Sequence, residues 1–336
     1  MLSRLPSRAR FLSTVAATPF PAGGNFTSIS ALEPGQLRSL LDESHALKAL
    51  YRPSAPSATP PPQPLAGTSV AMIFQKRSTR TRVSTETGVT MLGGHPLFLA
   101  PTDIQLGVNE SVRDTASVLS RFNDVILARV GHTSTIEELC EHSTKPVINA
   151  LCNKYHPLQT LADLMTLEEK WGRGGVDGRT ISWVGDGNNI IHDLMVGGAM
   201  LGANVRVATP PGYECAPDVV ERTREVLHGG RELKLTPDAS VACEGADVIV
   251  TDTWVSMGEE DQYDQKVAEF AGYQVKESLY EKANPGALFM HCLPRHPEEV
   301  DDEVFYGDRS VVWQEAENRM WTVMSVVMAQ RGKSVQ

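Results

Sequence analysis

From residue 69 onward, short apolar runs alternate with longer amphipathic stretches, and this alternation limits the possible folds more than any other feature. The first run, 70–74, is apolar at every position, which is typical of a strand buried on both faces. We predict further strands at 96–99, 125–130 and 147–151, with a helix between each strand and the next. Because this is a βαβα order, it implies a parallel sheet covered by helices.

Residues 157–171 are predicted to form a long helix, after which a second series of strands and helices follows. Its strands are expected at 181–184, 205–208, 233–236, 247–251 and 288–291. The sequence therefore predicts an α/β fold with two doubly wound parallel-sheet domains joined by bridging helices. We assign residues 33–165 to the first domain and 166–315 to the second, with a C-terminal helix at 316–331 packing back on the first.

Composition excludes several classes of protein. The 336 residues, 41% of them hydrophobic, suffice to bury cores in two domains. The formal net charge of −10 argues against a nucleic-acid-binding protein, whose surface would be basic. No apolar run approaches the roughly 20 residues that a membrane helix needs, so no membrane association is predicted. The five cysteines lack CxxC spacing, which supports neither a disulfide framework nor a zinc site.

Residues 1–32 differ in composition from the rest of the chain. They contain Arg4, Arg8 and Arg10, several Ser and Thr residues, and no acidic residue before Glu33. This composition predicts a mitochondrial transit peptide and flexible N-terminus, and hence localisation in the mitochondrial matrix. An ordinary disordered basic tail is the alternative.

The segment 78–82 follows the first predicted strand, opens a helix and reads Ser78, Thr79, Arg80, Thr81 and Arg82. Ligands of open α/β sheets bind at the carboxyl ends of strands, and the free N–H groups of a helix start favour an anion. Arg80 can donate two hydrogen bonds to phosphate oxygens. Arg129 lies at the end of another apolar run, and a buried charge must be paired or functional. We interpret these residues as an anion site; a capped helix with surface arginines is the alternative.

His156, Pro157 and Gln159 open the predicted long helix. Because proline suits the first helical turn, His156 should lie near the N-cap. Gln159, three residues further on, lies on the same face of the helix. Both side chains could therefore donate to one carbonyl or phosphoryl oxygen. A histidine that only caps the helix is the alternative.

Three motifs follow predicted strands of the second domain. The turn 185–189 resembles a dinucleotide-binding turn, but Ile190 replaces its third glycine and no acid follows the next strand. A nucleotide is therefore disfavoured, and the turn should present amide side chains to the cleft. The segment 252–258 offers a carboxylate and a hydroxyl to a substrate ammonium group, and the polar stretch after it has the character of a mobile lid. Cys292 ends the last strand, either as a catalytic thiol or as a buried inert cysteine.

Taken together, these motifs resemble the aspartate/ornithine carbamoyltransferase family, over residues 69–331. The segment 78–82 and the His156–Gln159 motif resemble the wider family, whereas 252–258 and 291–294 resemble its ornithine branch. The resemblance implies that a carbamoyl group passes from carbamoyl phosphate to L-ornithine by direct attack of the δ-amine on the carbamoyl carbon. The products would be L-citrulline and phosphate, as in arginine biosynthesis and the urea cycle. No metal and no organic cofactor is implied.

The resemblance also implies roles for individual residues. Carbamoyl phosphate would be bound by Ser78, Thr79, Arg80, Thr81, Gln105, Arg129, His156, Gln159, Cys292, Leu293 and Arg319. Ornithine would be bound by Asn189, Asp252, Ser256 and Met257. The catalytic residues would be Arg80, Arg129, His156, Asp252 and Cys292, with the thiol contacting the attacking amine. Gln105 resembles a residue that reaches into a neighbouring subunit's site, which implies a homotrimer, and the Leu293–Pro294 bond is expected to be cis.

Three other functions remain open on the sequence. An aspartate carbamoyltransferase would share the segment 78–82, but nothing here resembles arginines that bind a dicarboxylate. Carbamoyltransferases that use modified ornithines or putrescine are closer alternatives. A non-catalytic homologue is the third, although every expected polar group is present.

Overall fold

The computed structural model describes residues 15–52, 60–102, 104, 106–107, 109–255 and 260–335. In this part of the chain the strands are β1 (Ser69–Phe74), β2 (His95–Leu99), β3 (Val125–Arg129), β4 (Val147–Leu151), β5 (Thr180–Val184), β6 (Asn204–Ala208), β7 (Leu233–Thr236), β8 (Val248–Thr251) and β9 (Leu288–His291). The α-helices are α1 (Pro34–Tyr51), α2 (Arg80–Met91), α3 (Val112–Phe122), α4 (Thr133–His142), α5 (Pro157–Trp171), α6 (Asn189–Met200), α7 (Pro217–Val226), α8 (Ala239–Cys243), α9 (Tyr263–Glu269), α10 (Glu277–Tyr280), α11 (Asp302–Phe305) and α12 (Val312–Gln330). None of the helices within these ranges is both long and apolar enough to span a membrane.

The first sheet has the strand order β2-β1-β3-β4, and all neighbouring strands are parallel. Every residue of β3 is buried, which explains why this strand is a continuous apolar run up to its last residue. The chain places β2 on one side of β1 and β3 on the other. This change of direction leaves a crevice at the carboxyl ends of β1 and β3. The segment 78–82 and Arg129 lie at those two ends.

The second sheet has the strand order β7-β6-β5-β8-β9 and is also entirely parallel. Its own change of direction falls between β5 and β8. The turn 185–189 follows β5, and Asp252 follows β8 directly. Each sheet thus offers a crevice lined by residues that the sequence analysis singled out, which confirms the predicted fold of two parallel-sheet α/β units.

Two long helices connect the sheets. α5 begins directly after His156, packs on α6 of the second unit and is packed in turn by α12. α12 returns to the first unit, where it packs against α1 and α2. It begins at Val312, earlier than the predicted start at 316, and its Trp321 and Met324 are fully buried. A helix buried on nearly every side has no solvent-facing stripe to mark its start in the sequence.

Residues 15–32 differ from the expected flexible N-terminus. Phe26 is fully buried and pairs with β4: its N–H donates to the Val147 carbonyl at 2.8 Å, and its carbonyl accepts from the Asn149 N–H at 2.8 Å. A parallel bridge between Phe26 and Ile148 attaches this segment to the first sheet. The basic segment that motivated the transit-peptide prediction lies within residues 1–14, outside the described residues.

Candidate active site

A cavity of about 740 Å³ lies between the carboxyl ends of the two sheets. The sequence-predicted residues that line it are Ser78, Arg80, Thr81, Arg129, His156, Gln159, Asn189, Asp252, Cys292, Leu293 and Arg319. Thr79 does not line the cavity, and its side chain is exposed. Gln105, Ser256 and Met257 lie outside the described residues. The fold thus brings residues from widely separated segments to one place.

The segment 78–82 sends its two arginines to opposite sides of α2. The Arg80 guanidinium faces the cavity and donates from Nη2 to the Leu293 carbonyl at 2.6 Å, across the cleft. The Arg82 guanidinium lies over the Phe98 ring, 3.5 Å from its centroid, and its Nε donates to Glu86 at 3.3 Å. Residues two apart on a helix do not face each other. Only Arg80 therefore belongs to the site.

Arg129 and Arg319 are buried beside Arg80. Arg129 is only 6% exposed and Arg319 only 3%. Burial, together with repulsion by the neighbouring Arg80, lowers the pKa of both guanidiniums to about 10. Neither they nor Arg80 form an ion pair with a carboxylate in the part of the chain that is described. A buried cationic cluster of this kind requires an anion to compensate it.

His156 is the N-cap residue of α5, as predicted, and is 4% exposed. Its Nδ1 has no hydrogen-bond partner among the described residues. Burial lowers the pKa of His156 well below its usual value, and the nearby Arg319, Arg129 and Arg80 lower it further. The imidazole is therefore neutral at pH 7, so it can serve as a hydrogen-bond donor without adding a fourth charge to the cluster.

Gln159 lines the cavity, and its side-chain amide is also hydrogen-bonded within the protein. Its Oε1 accepts from Arg319 Nη1 at 2.6 Å, and its Nε2 donates to Asp163 Oδ1 at 2.7 Å and Glu315 Oε1 at 2.8 Å. The amide N–H groups are thus used within the protein, and Gln159 orients Arg319. Arg319 also donates from Nη2 to Thr81 Oγ1 at 3.0 Å, which fixes the guanidinium from a second side.

Sequence reasoning missed Asp163 and Glu315, two buried carboxyl groups behind the site. Burial raises the pKa of Asp163 to about 7 and raises the pKa of Glu315 well above its usual value. Two carboxyls that share the amide of Gln159 cannot both ionise cheaply, so the pair retains a proton near neutral pH. One signal was available, because Asp163 lies four residues after Gln159 and Glu315 four before Arg319, each on the same helix face as its partner.

The opposite end of the cavity carries a carboxylate and a thiol. The Cys292 S–H donates to Asp252 Oδ1 at 3.0 Å, and Asn188 Nδ2 donates to Asp252 Oδ2 at 3.0 Å. Burial, followed by the charge of Asp252, raises the pKa of Cys292 well above its usual value. The thiol therefore stays protonated at physiological pH. Asn188 was not singled out by itself, although the amide-rich turn that contains it was.

His291 holds the backbone that follows Cys292. Its Nδ1 accepts from the Leu293 N–H at 2.9 Å, so its Nε2 carries the proton and donates to Glu299 Oε1 at 3.2 Å. Burial lowers the pKa of His291 to about 4, which keeps the ring neutral. The Leu293–Pro294 peptide bond is cis, as predicted. The Leu293 carbonyl accepts a hydrogen bond from Arg80 of the facing domain.

In the part of the chain that the structure describes, two groups of side chains have an arrangement that could hold a metal ion. Asp252, His291 and Cys292 offer ligand atoms within 4.8 Å of one another, as do His296, Glu298 and Glu299. In the first group the thiol of Cys292 donates a hydrogen bond to Asp252, and both ring nitrogens of His291 form hydrogen bonds within the protein. The hydrogen bonds already account for the arrangement of this group.

In this two-domain α/β protein, a cluster of arginines that can bind an anion faces a carboxylate and a thiol across one cavity. The arginines suit an anionic donor, and the carboxylate suits an amine acceptor. This arrangement is typical of the class of group-transfer enzymes. Comparison with known proteins agrees with that class. The carbamoyl-phosphate-binding domain of aspartate/ornithine carbamoyltransferase matches residues 24–169, and the aspartate/ornithine-binding domain matches residues 177–329. The chain belongs to the aspartate/ornithine carbamoyltransferase family, as its motifs predicted.

Several ornithine carbamoyltransferases are similar to this chain. The mitochondrial enzyme of Aquarana catesbeiana is 51% identical over 266 residues, 79% of this chain and 75% of that protein. The mitochondrial enzyme of Aspergillus niger is 46% identical over 335 residues, 96% of this chain and 90% of that protein. The solved structure from Pyrococcus furiosus has a TM-score of 0.86 at 41% identity, over 93% of this chain and 98% of that one. The mitochondrial enzyme of Coccidioides immitis has a TM-score of 0.83 at 42% identity, over 95% and 100%.

Proposed function

We propose that this chain transfers the carbamoyl group of carbamoyl phosphate to the δ-amine of L-ornithine, with L-citrulline and phosphate as products. The main observation behind the proposal is that one cavity has a positively charged end and, opposite it, an acidic end. One end has three guanidiniums without a carboxylate partner in the described residues, and the other has Asp252 bonded to a protonated thiol. The reaction is a step of arginine biosynthesis and of the urea cycle.

In this proposal the donor occupies the cationic end. Arg80, Arg129 and Arg319 neutralise the phosphate, and Ser78 with the first N–H groups of α2 completes the cradle. Ser78 Oγ accepts from the Thr81 N–H at 3.2 Å, which orders the loop around that cradle. The neutral imidazole of His156 donates to the carbamoyl oxygen, where negative charge develops during the attack. Thr79 contributes only its backbone.

The acceptor occupies the acidic end. Asp252 and Asn189, with Ser256 and Met257, hold ornithine, and the δ-amine lies against Cys292 and the Leu293 carbonyl. The neutral amine nitrogen forms the new bond to the carbamoyl carbon, and the bond from that carbon to the phosphate oxygen breaks with its electrons on phosphate. The nitrogen then releases its surplus proton, which the departing phosphate takes up. Because the thiol is protonated, Cys292 orients the amine and does not attack the carbamoyl carbon itself.

The test is a panel of acceptors with purified full-length protein and carbamoyl phosphate. L-ornithine, N-acetylated ornithine, putrescine and L-aspartate are compared by colorimetric detection of the carbamoylated product. We expect citrulline from L-ornithine with the highest kcat/KM. The acidic Asp252 and Glu298 at the acceptor end disfavour a dicarboxylate such as aspartate. A preference for another amine would reassign the acceptor, and no product with any of them would overturn the proposal.

We infer that the enzyme works as a homotrimer. β2 is an edge strand of the first sheet, and large apolar side chains are exposed on it and on the helices α2 and α3 that precede and follow it in the chain: Leu97 at 40%, Val83 at 55%, Val118 at 44% and Phe122 at 75%. The Phe122 carbonyl accepts from Ser69 Oγ at 3.2 Å, so the end of α3 lies beside β1. An open edge flanked by apolar groups is typical of an interface.

Light scattering tests the assembly. We expect a mass of three chains for the unmodified protein and a smaller mass for Phe122→Asp. Tyr306→Asp, at a side chain 66% exposed in the second domain, is the control and should leave the trimer intact. A monomeric unmodified protein would contradict the inference.

We also propose that the protein resides in the mitochondrial matrix. The basic composition of the first residues supports this, as does the mitochondrial naming of its relatives. Residues 1–32 fused to a fluorescent protein should direct it to the matrix. Replacing Arg4, Arg8 and Arg10 with alanine should leave the fusion outside mitochondria, and unchanged import would contradict the proposal.

A further inference from the structure

Side chains on one face of α6 form hydrogen bonds with the backbone of the loop 152–156, which joins β4 to α5 in the first domain. Asn189, His192 and Asp193 occupy positions i, i+3 and i+4, which face the same way on a helix. Asn189 Nδ2 donates to the Cys152 carbonyl at 2.7 Å. His192 Nδ1 contacts the Lys154 carbonyl at 2.9 Å, and Asp193 Oδ2 accepts from the His156 N–H at 2.8 Å. A helix of the second domain thus holds the loop that ends in His156.

The tautomer of His192 follows from its two contacts. Its Nε2 accepts from the Ala216 N–H at 2.9 Å, so Nδ1 carries the proton and donates to the Lys154 carbonyl. Burial lowers the pKa of His192 below its usual value, which keeps this neutral tautomer in place. The contact is therefore directional.

Asp193 has no exposed surface and connects three segments of the chain. Besides the His156 N–H, it accepts at Oδ1 from the Ile29 N–H at 2.7 Å. Burial raises the pKa of Asp193 to about 8, while these backbone donors act in the opposite direction.

His156 depends on this contact for its position. Its side chain makes no capping bond, its Nδ1 has no partner in the described ranges, and its ring lines the cavity beside Arg129 and Arg319. The backbone nitrogen held by Asp193 is one bond from the Cα that carries the ring. A shift of the nitrogen therefore moves the imidazole relative to the phosphate cradle, and displacements of about 1 Å are costly in such sites.

We propose that Asp193 is a positioning residue for the carbamoyl phosphate site: it acts through the backbone N–H of His156, supported by Asn189 and His192, to hold the imidazole against the donor. The proposal rests on the proposed function. It also gives α6 a part in both sites, because Asn189 lies at the acceptor end while Asp193 supports the donor end. The second domain thereby sets the geometry of a pocket built mainly on the first.

Asp193→Asn tests the proposal and Asp247→Asn is its matched control. Asp247 is also a carboxylate that accepts from a backbone N–H, that of Thr180 at 2.9 Å, but it precedes β8, at the edge of the sheet away from the cavity. The dissociation constant for carbamoyl phosphate is measured by calorimetry on the full chain, with thermal stability and kcat. We expect Asp193→Asn to weaken binding about tenfold and Asp247→Asn to leave it within about twofold at a similar loss of thermal stability.

A double-mutant cycle with His156→Ala distinguishes positioning of the His156 imidazole from general destabilisation of the protein. Binding of carbamoyl phosphate is the quantity measured, so the cycle does not depend on turnover. If Asp193 acts through His156, Asp193→Asn should change the dissociation constant little in the His156→Ala background. The same tenfold loss in both backgrounds, or equal binding by Asp193→Asn and Asp247→Asn, would overturn the proposal.

His192→Gln replaces Asp193→Asn in these measurements if the latter does not fold, and unchanged binding by it would likewise overturn the proposal. Failure of the unmodified protein to bind carbamoyl phosphate would instead overturn the proposed function.

Discussion

Arg80 and Arg82 show how far a residue's neighbours in the fold decide what it does. The two have the same chemistry and lie two positions apart, yet one contacts the Leu293 carbonyl across the cleft and the other lies on Phe98 at the surface. Their separation on α2 is about 200° around the helix axis. The segment 78–82 contains two arginines, but only Arg80 contributes its guanidinium to the cavity. Arg129 and Arg319 contribute the other two.

This difference makes Arg82 a control for the cationic cluster. Arg80→Ala and Arg129→Ala should each lower kcat for citrulline formation at least about a hundredfold, since each removes a donor aimed at developing charge. Arg82→Ala should stay within about threefold, because its side chain faces away from the cavity. Near-normal turnover in Arg80→Ala or Arg129→Ala would contradict the assigned site.

Cys292 should behave as a neutral thiol. Because its pKa is raised by burial and by Asp252, we expect its alkylation by iodoacetamide, followed by mass spectrometry, to show no inflection up to pH 9. Cys292→Ser should weaken ornithine binding and retain measurable turnover. A carbamoyl adduct on Cys292, or a loss of about a millionfold as for a deleted nucleophile, would reinstate covalent catalysis.

At the scale of elements, α12 is closely fitted to α2. A Cβ placed on Gly88 of α2 would lie 2.7 Å from Met324 Cγ of α12, which is closer than side chains pack. Arg319 lies on the same α12, one and a half turns before Met324. The glycine therefore permits the close approach that lets α12 deliver its guanidinium to the cavity.

We expect Gly88→Ala to destabilise the protein by about 1–3 kcal/mol through overpacking, although alanine is the better helix former by about 1 kcal/mol. Thr87→Ala, at the exposed neighbouring position, is the control and should be neutral or slightly stabilising. Thermal unfolding measures both. If the clash is the cause, adding Met324→Ala to Gly88→Ala should cost less than the two single losses combined. If the loss of stability in the double variant equals the sum of the two single losses, the clash with Met324 is not the cause of the Gly88→Ala destabilisation.

At the scale of the whole molecule, buried acids make stability depend on pH. The folded-state pKa of Asp163 and of Glu299 is raised to about 7, above the values of about 4 in an unfolded chain. Groups of this kind contribute stability that is full below the unfolded pKa and is lost as pH rises through the folded pKa. The lowered pKa of His291, about 4, acts in the opposite direction between about pH 4 and 6.5.

We therefore expect these two acids to lower the melting temperature by several degrees as the pH rises from about 4 through about 7. Asp163→Asn should flatten this decline, because the variant no longer has to release the Asp163 proton. Asp308→Asn removes the same charge at an exposed position and should leave the decline unchanged. Parallel declines in both variants would assign the pH dependence to other groups.

The sequence by itself determined the strands, the helix order and many of the polar residues that line the cavity. Strands such as β3 are continuous apolar runs, and ligands of parallel sheets bind at the carboxyl ends of the strands. Arg129, Asp252 and Cys292 lie at or directly after such ends, so the local sequence pattern was enough to recognise them. Tertiary structure decided which of two similar residues faces the cavity, that residues 15–32 join the first sheet, and that Gln159 orients Arg319. It also brought Asp163, Glu315 and Asp193 together with the site.

The physical reason is the range of the interactions. A run of apolar residues or a helix start is set by neighbours a few positions away, whereas Gln159 meets Arg319 160 positions later and Asp193 meets Ile29 164 positions earlier. Such contacts exist only after two sheets and two connecting helices have packed, and no periodicity in the sequence records them.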